Sequence, residues 1–286
     1  MNLIYLALGF ALSDFFYTVI AKKLFLKHYR PFDIMRFWMI FTGFVSLIGL
    51  FFVGIKINSS FFYFGLIGFT IFTMLGHFFQ LKAIKELPIS IVAPLGAFFP
   101  LIMILVGIVT IREIPTLIGF IGVVLVFVGA YIINIKISQS WFEPLSYLVK
   151  DKRVWFKHFA NLFWAFAAVF LKISLNNSEL FSGIFILSVT VGIVALTSVS
   201  FKPLQKNFLR SKEILMSLGF FRVLQTLFQW ILLSVTLLGY GISLSNISLI
   251  LIIFAGKYYF KERQGWERII GAIVVYLGIQ LILLFG

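Results

Sequence analysis

The chain alternates long apolar runs with short polar connections. Each run approaches the roughly 20 residues that an α-helix needs to cross the hydrocarbon core of a bilayer. The longest polar break, residues 136–157, divides the runs into five and five. The pattern predicts ten transmembrane helices, near residues 3–21, 34–54, 61–82, 89–111, 116–135, 155–173, 181–200, 214–236, 239–258 and 265–285.

Composition excludes a water-soluble globule. Hydrophobic residues make up 61% of the chain, charged residues only 12%, and the mean hydropathy is +1.07, whereas soluble domains are about 45–50% apolar. The net charge of +14 lies in the connections, which is typical of membrane topology signals and not of nucleic-acid binding. Residues 1–21 lack a basic leading region and a small-residue cleavage site, so we expect a spanning helix there and no removable signal peptide.

The two halves of the chain match each other in register. A shift of 149 residues places Glu113 on Glu262 and Gln80 on Gln229, and it also superimposes two pairs of glycines, Gly122 on Gly271 and Gly129 on Gly278. Five helices per repeat invert the second copy in the membrane, an arrangement common in secondary transporters. We therefore predict an all-α integral membrane protein with inverted five-helix repeats at 1–135 and 155–286, joined by an interfacial linker at 136–154.

Two charged residues are predicted to lie deep within the membrane, Asp14 in the first helix and Arg222 in the eighth. A charge at the centre of a spanning helix costs at least ~2.5–3.5 kcal/mol on insertion scales, so such residues generally have a functional or pairing role. Two interpretations stay open. Either residue could bind substrate, or the two could form a buried ion pair that fixes the packing.

Polar side chains recur on one face of the third and of the eighth helix. Spacings of three, four and seven residues bring such side chains to the same face. We expect these two faces, which are counterparts in the repeat, to line a central path; the alternative is hydrogen bonding between helices. The faces comprise Thr73, His77 and Gln80 in one helix and Arg222, Gln225 and Gln229 in the other.

Two of the predicted helices contain residues that favour bending. The fourth carries Pro88, Pro94 and Pro100, and each proline removes a backbone donor. The ninth contains a cluster of small polar residues and glycines, namely Gly239, Gly241, Ser243, Ser245 and Asn246. Both helices could therefore bend during transport or hold a static kink.

Several ordered motifs resemble the ten-helix EamA-type branch of the drug/metabolite transporter superfamily. They include Pro31 with Arg36–Phe37, the stretch Ala83–Asn134 with its prolines, Glu113 and Gly-led fifth helix, and the sixth-helix opening Asn161–Lys172. The first helix departs from the family in having Leu12–Ser13 where Trp-Gly is usual, and the ninth lacks the prolines of the fourth. The resemblance implies a transporter that exports amino acids or similar metabolites.

We predict a secondary transporter, and neither an ATPase nor an enzyme, because the chain has no Walker sequence and no catalytic constellation. It would export a small polar or amphipathic metabolite across the inner membrane by alternating access, and we expect no cofactor or metal. His77 and Asp14 are the candidate proton carriers, and Glu113 and Glu262 are expected to form ion pairs near loop ends. The predicted substrate site comprises Asp14, Tyr17, His77, Gln80, Trp164, Arg222, Gln225, Gln229 and Asn246.

Two rival functions remain open. A flippase of a lipid-linked carrier would show a lateral opening toward lipid, and a membrane enzyme or structural protein would show a fixed cavity open to one side. Twenty of the 24 Lys and Arg residues lie in or beside the odd-numbered connections, against Lys56, Arg112 and Lys172 on the other side. The positive-inside rule then predicts both termini outside the cytoplasm, although the family more often has both inside.

Overall fold

The structure, a computed structural model, describes residues 3–27, 29–87, 92, 95–134, 150–197, 212–258 and 266–286. Within these residues the chain is helical and contains no β-strand, and one isolated bridge joins Ile57 to Ser178. A three-residue 3-10 turn at Lys152–Val154 precedes the helices of the second half. The α-helices are α1 (Leu3–Leu26), α2 (Pro31–Val53), α3 (Phe61–Glu86), α4 (Phe99–Ile111), α5 (Leu117–Asn134), α6 (Trp155–Asn176), α7 (Leu180–Thr197), α8 (Lys212–Val235), α9 (Leu238–Ser245), α10 (Ile247–Tyr258) and α11 (Trp266–Phe285).

Eight of the described helices are long and apolar enough to cross a membrane: α1, α2, α3, α5, α6, α7, α8 and α11. Large apolar side chains stay exposed on them, such as Phe51 and Phe52, which are 84% and 85% exposed. Lipid would cover surfaces of this kind, because a water-soluble protein rarely leaves large contiguous apolar patches open. The prediction of an all-helical, multi-pass membrane fold is confirmed at this level.

The fourth and ninth predicted helices are not single spans of membrane length in the described residues. Pro88 and Pro94 lie outside the described residues, and α4 begins only at Phe99. Pro100 occupies its first turn, where the missing backbone N–H breaks no helical hydrogen bond. The predicted helix at 239–258 is divided at Asn246 into α9 and α10.

Local hydrogen bonds accompany the division at Asn246. The Ser243 and Ser245 hydroxyls donate to the carbonyls of Gly239 and Gly241, each over 2.8 Å, and the Asn246 amide donates to the Ile242 carbonyl over 3.0 Å. Such side-chain bonds to carbonyls four residues back bend membrane helices. The expected bending of this segment is therefore a break between two short helices.

Most of the predicted interfacial linker lies outside the described residues, which resume at Lys150. Asp151 caps the 3-10 turn by accepting a 2.9 Å hydrogen bond from the Arg153 backbone N–H. Hydrogen bonds from the Arg153 side chain, followed by its backbone N–H, lower the pKa of Asp151. Arg153 also donates to the Glu86 carbonyl at the end of α3, so this turn joins the start of the second half to the first.

Helices of the two halves interleave in the packing. The closest partners are α3 with α6, α1 with α8, α2 with α7, and α5 with α11. Glycines permit the closest approach, since a Cβ on Gly129 would lie only 2.6 Å from the Gly271 carbonyl oxygen. Small residues at such crossings are the usual basis of tight packing between membrane helices.

Candidate functional site

A cavity of about 460 Å³ lies between the two halves of the chain. Side chains from α1, α2, α3, α4, α6, α7, α8 and α9 line it. Its volume is within the roughly 300–1,000 Å³ of small-molecule sites. The lining reaches Pro31, the exposed first residue of α2, and Leu81 near the end of α3. The cavity therefore extends toward the face that carries the α1–α2 connection.

Arg222 of α8 provides the cationic group of the cavity wall. Its guanidinium carbon lies 4.0 Å from the Trp38 ring centroid and 5.3 Å from that of Tyr17. One terminal nitrogen donates to the Gln225 side-chain oxygen over 2.5 Å, whereas the buried Nε has no hydrogen-bond partner. The two rings orient the guanidinium through cation–π contact, and its Nε remains a donor without an acceptor.

Asp14 of α1 does not line the cavity. The Gln225 amide nitrogen donates to an Asp14 carboxylate oxygen over 2.6 Å, so Gln225 bridges Asp14 and Arg222. Among the described residues, no ion pair joins Asp14 directly to Arg222. In the described structure a glutamine therefore couples the two charges, and they do not touch directly.

The polar face of α3 points into the same cavity. Thr73, His77 and Gln80 all line it. The His77 ring lies edge-on between two indoles, with centroid distances of 5.8 Å to Trp38 and 5.4 Å to Trp164. The polar faces of α3 and α8, which a shift of 149 residues relates in the sequence, thus border one space.

Lys157 is a buried cation that was not expected from the sequence, where only Asp14 and Arg222 stood out as deep charges. It is the third residue of α6, and its side chain is only 6% exposed. The Nζ donates to the Gln80 side-chain oxygen over 2.9 Å and lies 5.1 Å from the Trp164 ring centroid. Spacings of four and seven residues from Lys157 to Asn161 and Trp164 are the sequence signal that could have revealed it.

Two hydroxyl groups that were likewise not expected from the sequence lie where α2 and α7 meet. Thr42 and Ser188 line the cavity, are 5% and 3% exposed, and their hydroxyl oxygens have no hydrogen-bond partner. Buried polar groups without partners are unusual in native proteins and often mark a water or ligand position. No charge or periodic pattern singles out a lone Thr or Ser in a membrane helix.

Seven of the nine residues proposed from the sequence line this cavity, and two do not. Asp14 is connected to it only through Gln225. Asn246 lies at the junction of α9 and α10, where its amide is bonded to the helix backbone. The seven that line it are Tyr17, His77, Gln80, Trp164, Arg222, Gln225 and Gln229.

A second polar cluster lies at the membrane face opposite Pro31. The Glu113 carboxylate, in the α4–α5 connection, contacts the Lys172 ammonium of α6 and accepts a 2.7 Å hydrogen bond from the Leu238 backbone N–H. Lys172 in turn donates to the Thr236 carbonyl over 2.6 Å. The expected ion pair of Glu113 therefore exists, but its partner is on another helix and not the adjacent Arg112. Its repeat counterpart, Glu262, lies outside the described residues.

The described residues contain no group of three or more His, Asp or Glu side chains that could hold a metal ion.

The chain is similar in two respects to known proteins. Residues 1–135 match the family model described as EamA-like transporter family. A solved structure titled "Crystal structure of protein" shares the fold with a TM-score of 0.73 at 13% identity, covering 98% of this chain and 95% of that one. No curated protein matches the chain.

Proposed function

Residues 1–135 belong to the EamA-like transporter family, part of the drug/metabolite transporter superfamily, and on that premise we propose that the whole chain is a secondary exporter of a small polar or amphipathic metabolite. The resemblance inferred from the sequence motifs is thereby confirmed, and the chain is a multi-pass membrane transporter. We further propose that it acts in the inner membrane, by alternating access between two inverted repeats at 1–135 and 155–286.

Packing between equivalent helices supports the inverted repeat. A shift of 149 residues relates α1 to α6, α3 to α8 and α4 to α10. When each helix is exchanged for its counterpart, the contact between α3 and α6 corresponds to the contact between α8 and α1, and both contacts are present. The contact of α4 with α6 likewise becomes that of α10 with α1. Phe99, the first residue of α4, falls on Ser248, one residue into α10. In this proposal the fourth and ninth segments would each cross the membrane once and bring the number of spans to ten.

The crossing of α2 and α7 supports it in atomic detail. The same shift relates Gly43 to Gly192 and Met39 to Ser188. A Cβ on Gly43 would lie 3.0 Å from the Gly192 Cα and 3.2 Å from the Ser188 carbonyl oxygen; a Cβ on Gly192 would lie 3.0 Å from the Gly43 Cα and 3.2 Å from the Met39 carbonyl oxygen. Equal distances at exchanged positions are the geometry of a two-fold axis through this crossing.

The proposal rests chiefly on the cavity between the halves, which is lined by Arg222, a residue whose buried Nε has no hydrogen-bond partner. Arg222 would bind a carboxylate or phosphate, because a guanidinium can hold either group through two parallel hydrogen bonds. Gln80, Gln229 and His77 would shape the pocket. Asp14 would position Gln225, and with His77 it remains the candidate proton carrier.

Glu113 and Lys172 would keep the cavity closed at the membrane face opposite Pro31. Together with the backbone of Thr236 and Leu238 they join the first half to the second, at the end of the cavity remote from Pro31. Alternating access requires a contact of this kind to break when the cavity opens to that face. We name this cluster the Glu113–Lys172 latch.

Transport in proteoliposomes tests the proposed function. Vesicles containing the purified full-length protein are preloaded with unlabelled amino acids, organic acids or phosphorylated metabolites, and counterflow uptake of the same labelled compound from outside is measured. Uptake of at least one compound, lost in Arg222→Gln and kept in Arg112→Gln, is the expected result. Flux that Arg222→Gln leaves intact contradicts the site. Movement of a labelled lipid between leaflets, without metabolite flux, would instead establish the flippase alternative.

A further inference from the structure

We propose that the substrate is a planar aromatic organic anion without an ammonium group, its carboxylate bound by Arg222 and its ring held among the aromatic side chains of the cavity. This inference rests on the proposed function, because it names the substrate class of the same site. Three properties of the cavity support it: the number of tryptophans in its lining, the sign of the charges around it, and the Arg222 Nε that has no hydrogen-bond partner.

Tryptophan is concentrated in the cavity far beyond its share of the chain. Among the described residues, three of the five tryptophans line it, namely Trp38, Trp164 and Trp230, whereas of the many phenylalanines only Phe69 and Phe99 do. The aromatic wall is therefore not a by-product of a Phe-rich membrane protein. Indole rings offer large flat faces for stacking together with an N–H donor, and these suit a flat ring better than an alkyl chain.

The charges around the cavity favour an anion over a zwitterion. Of the chain's ten Asp and Glu residues, eight are described, and none of these eight lines the cavity. The Asp14 carboxylate, which is connected to the cavity only through Gln225, already accepts a hydrogen bond from that residue. An ammonium group entering the cavity would lose its water and meet no carboxylate in return, which is costly for a charged group.

An aromatic wall can also bind organic cations, but here the protein's own cations occupy it. The Arg222 guanidinium stacks on Trp38, and the Lys157 ammonium lies over Trp164. Among the described residues, no ion pair neutralises Lys157. A cationic ligand would therefore approach the positive charge of Arg222, whereas an anion would be attracted by it.

The anion would bind at the Nε edge of Arg222. That nitrogen is buried and has no partner, while the far side of the guanidinium is engaged with Gln225. A carboxylate at this edge would supply the missing acceptor in the planar geometry that guanidinium favours. The volume of about 460 Å³ is toward the lower end of ligand sites and suits one bicyclic ring with a short acid chain.

Four probes separate the possible substrate classes. Indole-3-propionate is the aromatic anion, tryptophan the zwitterion, tryptamine the cation and hexanoate the aliphatic anion. Binding of each to the purified full-length protein is measured by calorimetric titration. We expect indole-3-propionate to bind roughly tenfold more tightly than each of the other three, because only it satisfies both the arginine and the aromatic wall. Tryptophan or tryptamine binding as tightly would overturn the anionic class, and hexanoate binding as tightly would overturn the aromatic requirement.

Variants assign the binding to the named side chains. Arg222→Gln should weaken indole-3-propionate roughly 30-fold or more, because a buried charged partner is lost. Trp230→Leu should weaken indole-3-propionate and leave hexanoate unchanged, and Trp230→Phe should restore part of the loss. Trp266→Leu, at an indole that is 76% exposed and remote from the cavity, is the matched control. Equal losses in Trp230→Leu and Trp266→Leu would refute the aromatic site.

Flux measurements distinguish the failure of this inference from failure of the proposed function. Counterflow of some other metabolite, with no binding of indole-3-propionate, overturns the substrate class and leaves the transporter intact. Tight binding of indole-3-propionate without gradient-driven flux of any compound overturns the transporter proposal instead. Saturable counterflow of indole-3-propionate that Arg222→Gln abolishes supports both.

Discussion

Weakening the Glu113–Lys172 latch should shift the transporter toward the state in which the cavity opens to the face of the α4–α5 connection. Glu113→Gln keeps the size and shape of the side chain but removes its charge. The carboxylate now holds both the Lys172 ammonium and the Leu238 backbone N–H, and the Glu113 and Lys172 side chains are only 12% and 15% exposed. If the latch exists only while the opposite face is closed, the substitution destabilises that state alone.

The size of the shift follows from the two hydrogen bonds that the carboxylate accepts. The two donors are bound by the two different oxygens of the Glu113 carboxylate, and Gln offers only one oxygen, so Glu113→Gln loses one hydrogen bond to a charged group and should cost the latched state at least about 1.5 kcal/mol. That corresponds to roughly a tenfold change in the ratio of the two states. Glu113→Ala should cost more, about 3–5 kcal/mol, because it leaves the Lys172 ammonium buried and unpaired.

Cysteine labelling can measure this shift, because the chain contains no cysteine of its own. Ile242→Cys places a thiol in the cavity wall near the latch, and Met35→Cys places one near Pro31. Membrane-impermeant maleimide is applied to one face of the membrane at a time. In the Glu113→Gln background, labelling of Ile242→Cys from the α4–α5 face should rise roughly tenfold, whereas labelling of Met35→Cys from the other face should not rise.

Glu213→Gln is the control, since Glu213 is an exposed carboxylate in the first turn of α8. It should change neither rate of labelling. An unchanged rate at Ile242→Cys in both Glu113→Gln and Glu113→Ala, with a lowered thermal stability, would show that the ion pair only stabilises the fold. The reasoning about the latch would then be refuted.

Three further outcomes are expected. Asp14→Asn should tighten indole-3-propionate binding roughly threefold to tenfold in the same titration, because it removes a negative charge near Arg222 yet can still accept from Gln225; weaker binding contradicts this. Gly192→Val should lower the free energy of unfolding by about 1–3 kcal/mol through overpacking against α2, measured by thermal unfolding beside the exposed control Leu196→Val. A C-terminal reporter active only in the cytoplasm should be silent, and a strong signal would contradict the charge-based orientation.

The sequence by itself determined the membrane class, the eight long spans and the polar faces of the third and eighth predicted helices. These properties are local, since an apolar run of given length partitions into lipid whatever its neighbours are. The side chains at positions 73, 77 and 80 share a face by helical geometry alone. The bending of the ninth segment was also readable, because its serines and Asn246 bond to backbone four residues away.

Only the tertiary structure decided which polar groups meet. Gln225 reaches Asp14 across 211 residues of sequence, Lys157 reaches Gln80 across 77, and Lys172 reaches Glu113 across 59. Periodicity can assign a side chain to a helix face, but it cannot say which other helix that face contacts or at what height. For this reason the sequence left a direct pair of Asp14 and Arg222 open as an alternative and did not reveal Lys157, whose burial depends on α3 packing against α6.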